Sequence, residues 1–269
     1  MCRILIFGGT GLLGNTVSSY FSGIKDFSVT STYRSVSVKP DGDTLFFDVL
    51  SDDLFSIKES FDYVINCIGI IKPFMKTDPV AAIKINSLFP LNLAKWCEEK
   101  GARLIHITTD CVYSGKKGKY TETDPHDALD AYGKSKSLGE PGGCLLLRTS
   151  IIGEERHKNS SLVEWAKSQK GQAVNGFATH YWNGVTTKQY AKTCHKIIAD
   201  GLYQEGLFHI HAKDDVSKCT MLHYFNKKFD LSLKIDETFP EMCDRTLRTA
   251  KPLLEKLDIP SVEQMIDEM

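Results

Sequence analysis

Tyr132 and Lys136 stand four residues apart in Tyr-Gly-Lys-Ser-Lys, a spacing that on a helix puts both side chains on one face, one turn apart. A cation beside a phenol stabilises the phenolate and lowers a pKa that is otherwise about 10. A tyrosine so placed can hand a proton to a carbonyl oxygen. The same spacing also falls on many solvated helix faces, so the pair draws its meaning from the rest of the chain. Earlier, the apolar run Leu104-Ile105-His106-Ile107 ends in Thr108-Thr109-Asp110, and a hydroxyl at a strand end is well placed to bond a substrate oxygen.

A second group of residues points to a phosphate. Gly-Gly-Thr-Gly-Leu-Leu-Gly, from Gly8 to Gly14, follows the apolar run Ile4-Leu5-Ile6-Phe7. Gly8 permits a tight turn, Gly11 lets a pyrophosphate approach the backbone, and Gly14 lets a helix pack close to the strand. The helix N-terminus adds free N–H groups and the positive end of its dipole. Taken alone, such a glycine cluster is also compatible with a plain turn. The next strand ends Ser31-Thr32-Tyr33-Arg34 with no acidic residue in reach. Sites selective for NAD place an acid there, whereas a 2′-phosphate calls for arginine, so the expected cofactor is NADPH, with NADH the alternative.

Further polar residues admit two readings each. Trp182 and Asn183 offer an aromatic face and an amide that suit a pyranose, or a core tryptophan and its neighbour. Arg148 ends a buried-looking strand as a diphosphate contact or a structural ion pair. Arg245 and Arg248 suit a nucleotide diphosphate or plain solvation, and Lys116-Lys117-Gly118-Lys119 reads as a solvated loop.

These residues need elements to hold them. Short apolar runs alternate with helical patterns through the first half, the signature of a parallel sheet covered on both faces. Strands are predicted at 3–7, 27–32, 44–47, 62–66, 103–108 and 144–148, and helices at 11–22, 52–59, 79–100 and 131–140. After Arg148 helices are predicted at 160–170, 186–200, 218–229 and 250–258, with a strand at 207–211. The fold class is α/β, a Rossmann-type doubly wound parallel sheet with a smaller C-terminal substrate-binding lobe. Residues 1–148 form the dinucleotide-binding domain and 149–269 mainly the lobe, with about 186–211 returning to the first domain.

The 33 basic and 34 acidic residues leave a net charge of −1 over 269 residues, so no global field favours a nucleic acid or an anionic membrane. No apolar run approaches the length of a membrane span, and a cytoplasmic location is expected. The eight cysteines show neither C-x-x-C nor metal-like spacing, which fits reduced thiols and no metal site.

Together these motifs resemble the extended short-chain dehydrogenases/reductases, and within them the dTDP-4-dehydrorhamnose reductase branch. The stretches HITTDCVYSGKKGKYTETD, AYGKSKSLGE, LLRTS and WNGVTT carry the likeness, in matching order over nearly the whole chain. The resemblance implies hydride transfer from NAD(P)H to C4 of a nucleotide-linked 4-keto-6-deoxy sugar. Tyr132 would protonate the resulting oxygen, Lys136 would hold the nicotinamide ribose and stabilise the phenolate, and Thr109 would orient the keto group. It implies Gly8, Thr10, Gly11, Leu12, Leu13 and Gly14 around the phosphates, and Asp48 with Val49 beside adenine. It also implies Asn66, Cys67, Ile68 and Gly69 along the cofactor cleft, Asn86 near the cofactor, and sugar contacts from Trp182 and Asn183. A homodimer is compatible with it.

Two departures matter. The rhamnose reductases usually have tyrosine at Cys111 and tryptophan at Ser150. In the similar GDP-fucose synthases, a cysteine at the place of Cys111 and a downstream histidine epimerise beside the keto carbon, and this chain has His180. An alternative is therefore a bifunctional epimerase/4-reductase using Cys111 and His180, or else a small apolar Cys111 and a surface His180. A third possibility is a cofactor-binding regulatory subunit, since the same branch includes a relative that modulates methionine adenosyltransferase.

Overall fold

Ile4, Leu5, Ile6 and Phe7 are all buried, and their strand forms the middle of the molecule. In the computed structural model, which describes residues 1–35, 38–40, 42–155 and 161–269, the elements of the first half are β1 (Cys2–Phe7), α1 (Leu12–Ser22), β2 (Phe27–Tyr33), β3 (Asp43–Phe46), β4 (Tyr63–Asn66), α2 (Pro79–Ile83), α3 (Phe89–Lys100), β5 (Arg103–Thr109), α4 (Ala131–Leu138) and β6 (Leu145–Thr149). There follow β7 (Ile151–Ile152), α5 (Leu162–Ser168), β8 (Ala173–Phe177), β9 (His180–Trp182), β10 (Val185–Thr186), α6 (Thr187–Ala199), β11 (Gly206–His209), β12 (Val216–Ser217), α7 (Lys218–Phe229), β13 (Lys234–Thr238), β14 (Cys243–Asp244), α8 (Leu253–Leu257) and α9 (Val262–Asp267).

Seven strands form one parallel sheet in the order β11-β6-β5-β4-β1-β2-β3. Side chains alternate across it with the two-residue period of a strand. Ile4 and Ile6 join a core with Val17 and Phe21 of α1 and Tyr190 and Ile197 of α6. Leu5 and Phe7 join the opposite core with Phe89, Leu93 and Trp96 of α3. Truncating a fully buried ring such as Phe21 to alanine costs about 3–5 kcal/mol. The chain leaves β1 for β2 on one side and returns as β4 on the other, so β1 and β4 border the crevice where such sheets keep their ligands.

The predicted helix at 79–100 is α2 and α3 joined by a π-helical turn at Lys84–Leu88. The helix predicted at 52–59 is a single 3-10 turn, Leu54–Ser56. There Asp53 accepts from the Phe55 N–H and Asp52 from the Asp48 N–H, local bonds that compete with a helix. The C-terminal residues also form short pairings that apolar periodicity did not reveal: β8 with β13, and β12-β9-β14. β11 lies beside β6 in the main sheet, and α6 packs against α1.

Candidate active site

At the end of β1 the backbone turns on Gly8, whose φ is +89°, a conformation that favours glycine. The Gly8 N–H donates to Thr32 Oγ1 at 2.9 Å, and the Gly9 N–H to the Thr32 carbonyl at 2.9 Å. A Cβ on Gly14 would lie 2.1 Å from the Gly8 carbonyl oxygen, so the first turn of α1 rests directly on the glycine turn. Gly11 is the N-cap of α1, no side chain caps it, and no acid stands in the first turn. The donors and the positive dipole end are therefore open to an anion, and this cradle fits a pyrophosphate. Thr10 and Leu12 are half-buried at its rim, while the Leu13 side chain is buried in the core and leaves only its backbone to this face.

Around this turn lie the other expected cofactor residues. Arg34 is exposed just past β2 and has no hydrogen-bond or ion-pair partner among the described residues. Asp48 accepts from the Leu50 N–H at 3.0 Å, and Val49 packs against the core that holds Leu5 and Phe7. Beyond β4, Ile68 approaches Gly8 so closely that a Cβ there would meet Ile68 Cγ1 at 2.9 Å. Cys67 is half-buried with its thiol pushed well up by burial, and Gly69 is exposed. Asn66 holds the turn, accepting from the Ile68 N–H at 3.0 Å and donating to His106 Nδ1 at 3.1 Å.

Asn86 lies against the loop after β4. It is fully buried within the π turn, accepts from the Ile70 N–H at 2.8 Å, and donates to the Ile70 carbonyl at 2.9 Å and Ser135 Oγ at 3.1 Å. Its amide holds the loop after β4 to α4 and so braces the site.

The catalytic candidates do converge. Asp130 caps α4 by accepting from the Gly133 N–H at 3.0 Å. Two glycines bring this helix against its neighbours: a Cβ on Gly133 would lie 2.4 Å from the Cys111 carbonyl, and one on Gly139 would lie 1.8 Å from the Asn86 carbonyl. Tyr132 thereby meets the end of β5, where Thr109 accepts from the Cys111 N–H at 3.1 Å and donates to Asp110 Oδ1 at 3.2 Å. Burial, and then the Cys111 thiol, push the Tyr132 phenol up, while hydrogen bonding with Thr109 draws it partly back. The Cys111 thiol is itself pushed up to about 12 by burial and then by Asp110.

Lys136 is buried, and its Nζ donates to the Ile107 carbonyl at 3.1 Å. Burial lowers this ammonium to about 8, and Glu140 works in the opposite direction. The expected lowering of the phenol by Lys136 is therefore not realised, because the lysine spends its proton on β5 and burial dominates at Tyr132. The result is a neutral phenol beside a hydroxyl, the form a general acid requires.

Four residues with a candidate substrate role are engaged within the fold. Arg148 is fully buried and pairs with Glu140 at 2.6 Å while donating to Tyr113 Oη at 2.6 Å and His126 Nε2 at 2.6 Å, so it is a structural ion pair. Trp182 faces the core, because strand alternation in β9 turns it inward over Gly184. Asn183 is buried and donates to Asp215 Oδ1 at 2.9 Å and the Leu247 carbonyl at 3.0 Å, and accepts from the Leu247 N–H at 2.9 Å. His180 is held by the Glu241 carbonyl at 3.1 Å and by Phe177 edge-on at 5.0 Å. No hydrogen bond or ring contact joins it to Cys111 among the described residues.

Arg245 is the cation that stands by the site. Its Nε donates to the Tyr113 carbonyl at 2.8 Å and its Nη2 to the Ser114 carbonyl at 3.1 Å, and its charge acts on Cys111 and Asp110. Arg248 is instead tied to Asp215. The same C-terminal stretch laces the loop after β5: the Tyr120 N–H donates to the Thr246 carbonyl at 2.8 Å, and the Arg248 N–H to the Tyr120 carbonyl at 2.7 Å. Asp110 and Glu140 received no role in the sequence reading although both sit inside its motifs, at Thr108-Thr109-Asp110 and four residues after Lys136. Among the described residues no group of three or more His, Cys, Asp or Glu is arranged to hold a metal, and no helix is long and apolar enough to cross a membrane.

A doubly wound parallel sheet, an open glycine turn at its crevice, and tyrosine, lysine and threonine gathered at its carboxyl edge define an extended short-chain dehydrogenase/reductase. Within that class the chain belongs to the RmlD substrate binding domain family, whose model matches residues 2–247. It is 28% identical over 244 residues to a methionine adenosyltransferase 2 subunit beta of Rattus norvegicus, covering 83% of this chain and 72% of that protein. It is 27% identical over 279 residues to a probable low-salt glycan biosynthesis reductase, Agl14, of Haloferax volcanii, covering 96% and 90%. In fold it is similar to the dTDP-4-dehydrorhamnose reductase of Bacillus anthracis solved in complex with NADP, with a TM-score of 0.78 at 17% identity over 100% of this chain and 98% of that one.

Proposed function

We propose that the protein reduces the C4 keto group of a nucleotide-activated 4-keto-6-deoxy sugar with NADPH, in supply of deoxysugars for polysaccharide or glycan. The observation that carries this reading is the neutral Tyr132 phenol beside the Thr109 hydroxyl, at the carboxyl edge of the sheet and across from the open glycine turn. Membership of the reductase family and the likeness to Agl14 support it.

Gly8, Gly11, Gly14 and the N-terminus of α1 would hold the cofactor pyrophosphate, and Arg34 its 2′-phosphate. Asp48 and Val49 would flank adenine, and Cys67, Ile68 and Gly69 would line the path to the nicotinamide. When bound, the nicotinamide supplies the hydride. Tyr132 delivers its phenolic proton to the C4 oxygen, and Thr109 steers that oxygen. Lys136 fastens α4 to the end of β5 through the Ile107 carbonyl, which holds Tyr132 beside Thr109. Arg245 is the group for the substrate diphosphate, through a guanidinium edge not engaged by Tyr113 and Ser114. A cytoplasmic setting and a homodimeric assembly belong to this reading, with the whole candidate site drawn from one chain.

Oxidation of NADPH with dTDP-, UDP-, GDP- and CDP-linked 4-keto-6-deoxy sugars tests it. Tyr132→Phe is expected to lower kcat by about 10²–10⁴ while NADPH binding persists. Unchanged turnover in that variant with every keto sugar overturns the reading. The similarity to a methionine adenosyltransferase beta subunit supports a second reading, a cofactor-binding regulatory chain. Binding of a methionine adenosyltransferase catalytic subunit by Tyr132→Phe, without keto-sugar turnover by the parent protein, would favour it.

A further inference from the structure

We propose that Glu140 is a positioning residue of the site: its carboxylate clamps the end of α4 to the tip of β5 and so keeps Lys136 in place and charged. The inference rests on the reductase reading only for its effect on turnover.

Glu140 follows the last turn of α4, and its side chain is 10% exposed. One oxygen, Oε1, accepts from Thr108 Oγ1 at 2.5 Å, and the other, Oε2, accepts from Arg148 Nη2 at 2.6 Å. Thr108 lies between the two residues on which the site depends. Its predecessor Ile107 offers the carbonyl that receives Lys136 Nζ, and its successor Thr109 bonds with Tyr132. Glu140 therefore grips β5 at the one residue flanked by both anchors.

The grip is backed on every side. Arg148 of β6 also donates to Tyr113 Oη and to His209 Nε2 of β11 at 3.1 Å, which ties the carboxyl ends of three adjacent strands to this one carboxylate. Gly139 rests against the Asn86 carbonyl without room for a Cβ, so the turn that carries Glu140 cannot slide along the π segment.

The charges around Lys136 point the same way. On its own helix it has Tyr132 one turn back, and Glu140 lies just past the C-cap Gly139. From β5 it meets the Ile107 carbonyl and His106, whose imidazole is held neutral by burial and by Lys136 itself. Glu140 is the carboxylate acting on the ammonium, and it works against the burial that would strip its proton. Near Glu140, His126 is likewise kept from charging by burial and Arg148. A carboxylate that served Arg148 alone would be a mere counter-ion, and removing it would leave the Lys136 proton where it is.

The test is a direct titration of the Lys136 side chain by carbon-13 NMR in the whole protein, assigned with Lys136→Arg. The parent midpoint is expected near 8, and Glu140→Gln should move it down by about 1 pH unit. The alkaline limb of kcat/KM should move with it, and Glu140→Asp, which keeps the charge, should restore the midpoint. Because Glu140→Gln leaves Arg148 buried without its partner, Glu140→Gln/Arg148→Met removes both charges and guards against misfolding. A folded variant of either kind with an unmoved Lys136 midpoint overturns the proposal. Failure of the parent to reduce any keto sugar would instead sink the reductase reading, and the titration would still decide the role of Glu140.

Discussion

The Lys136 ammonium donates to the Ile107 carbonyl at 3.1 Å, which fastens the helix that carries Tyr132 to the strand that carries Thr109. This bond joins α4 to β5, and the proton on the lysine makes it charge-assisted and therefore stronger. Burial lowers the lysine pKa to about 8, against the opposing pull of Glu140. The lowered value means the cation is fully present below this pH and is lost as pH rises through it. The kcat/KM of the parent enzyme, which reports the free enzyme, should therefore fall above about pH 8. Lys136→Met should abolish that limb and lower kcat/KM by about 10²-fold or more. A profile that stays flat to pH 9 in the parent would contradict this.

Gly14→Ala should damage cofactor binding and folding together. The added methyl would sit 2.1 Å from the Gly8 carbonyl, so either α1 or the glycine turn must move. NADPH affinity measured by fluorescence titration should weaken at least about tenfold, as one lost charge-assisted phosphate bond would produce. Retention of parental affinity would show that the helix N-terminus does not hold the pyrophosphate.

Arg34→Ala should separate the two nicotinamide cofactors. The guanidinium is exposed and unpaired among the described residues, so its removal costs the fold little. The KM for NADPH should rise about tenfold through loss of one charge-assisted bond, with the KM for NADH nearly unchanged. Equal changes for both cofactors would remove Arg34 from the 2′-phosphate.

Asn183→Ala should affect stability and leave substrate recognition alone. Its amide accepts from the N–H of buried Leu247 and shares the Leu247 carbonyl with Arg248 Nη1, so the substitution strands the N–H at a cost of about 1–3 kcal/mol. A Tm lower by roughly 5–10 °C is expected, with the KM for the keto sugar unchanged in the folded fraction. A raised KM at parental Tm would restore Asn183 to the sugar site.

Much of the architecture is legible in the chain because its signals are local. β1 and β4 are largely apolar, as strands covered by helices must be, and the spacing of Gly8, Gly11 and Gly14 marks a tight turn against the start of α1. Tyr132 and Lys136 are neighbours by helix geometry alone. Arg148, Trp182, Asn183 and Asn86 are less legible for the opposite reason. Each is polar or aromatic at a plausible place, and its fate depends on a partner remote in the chain: Glu140 and His209, the inner core, Leu247, Ile70 with Ser135. Nothing local tells an arginine that will meet a carboxylate from one that will meet a diphosphate. The phenol shows the same limit, since helical spacing brought Lys136 near Tyr132 and could not reveal that the amine turns toward Ile107.

Arg245, Thr246 and Arg248 stitch down the loop between β5 and α4, although they are translated more than a hundred residues later. The strands β1 to β6, the glycine turn and the Tyr132 helix all precede this seam in the chain. A chain that stops before Arg245 lacks every one of these bonds to the loop after β5.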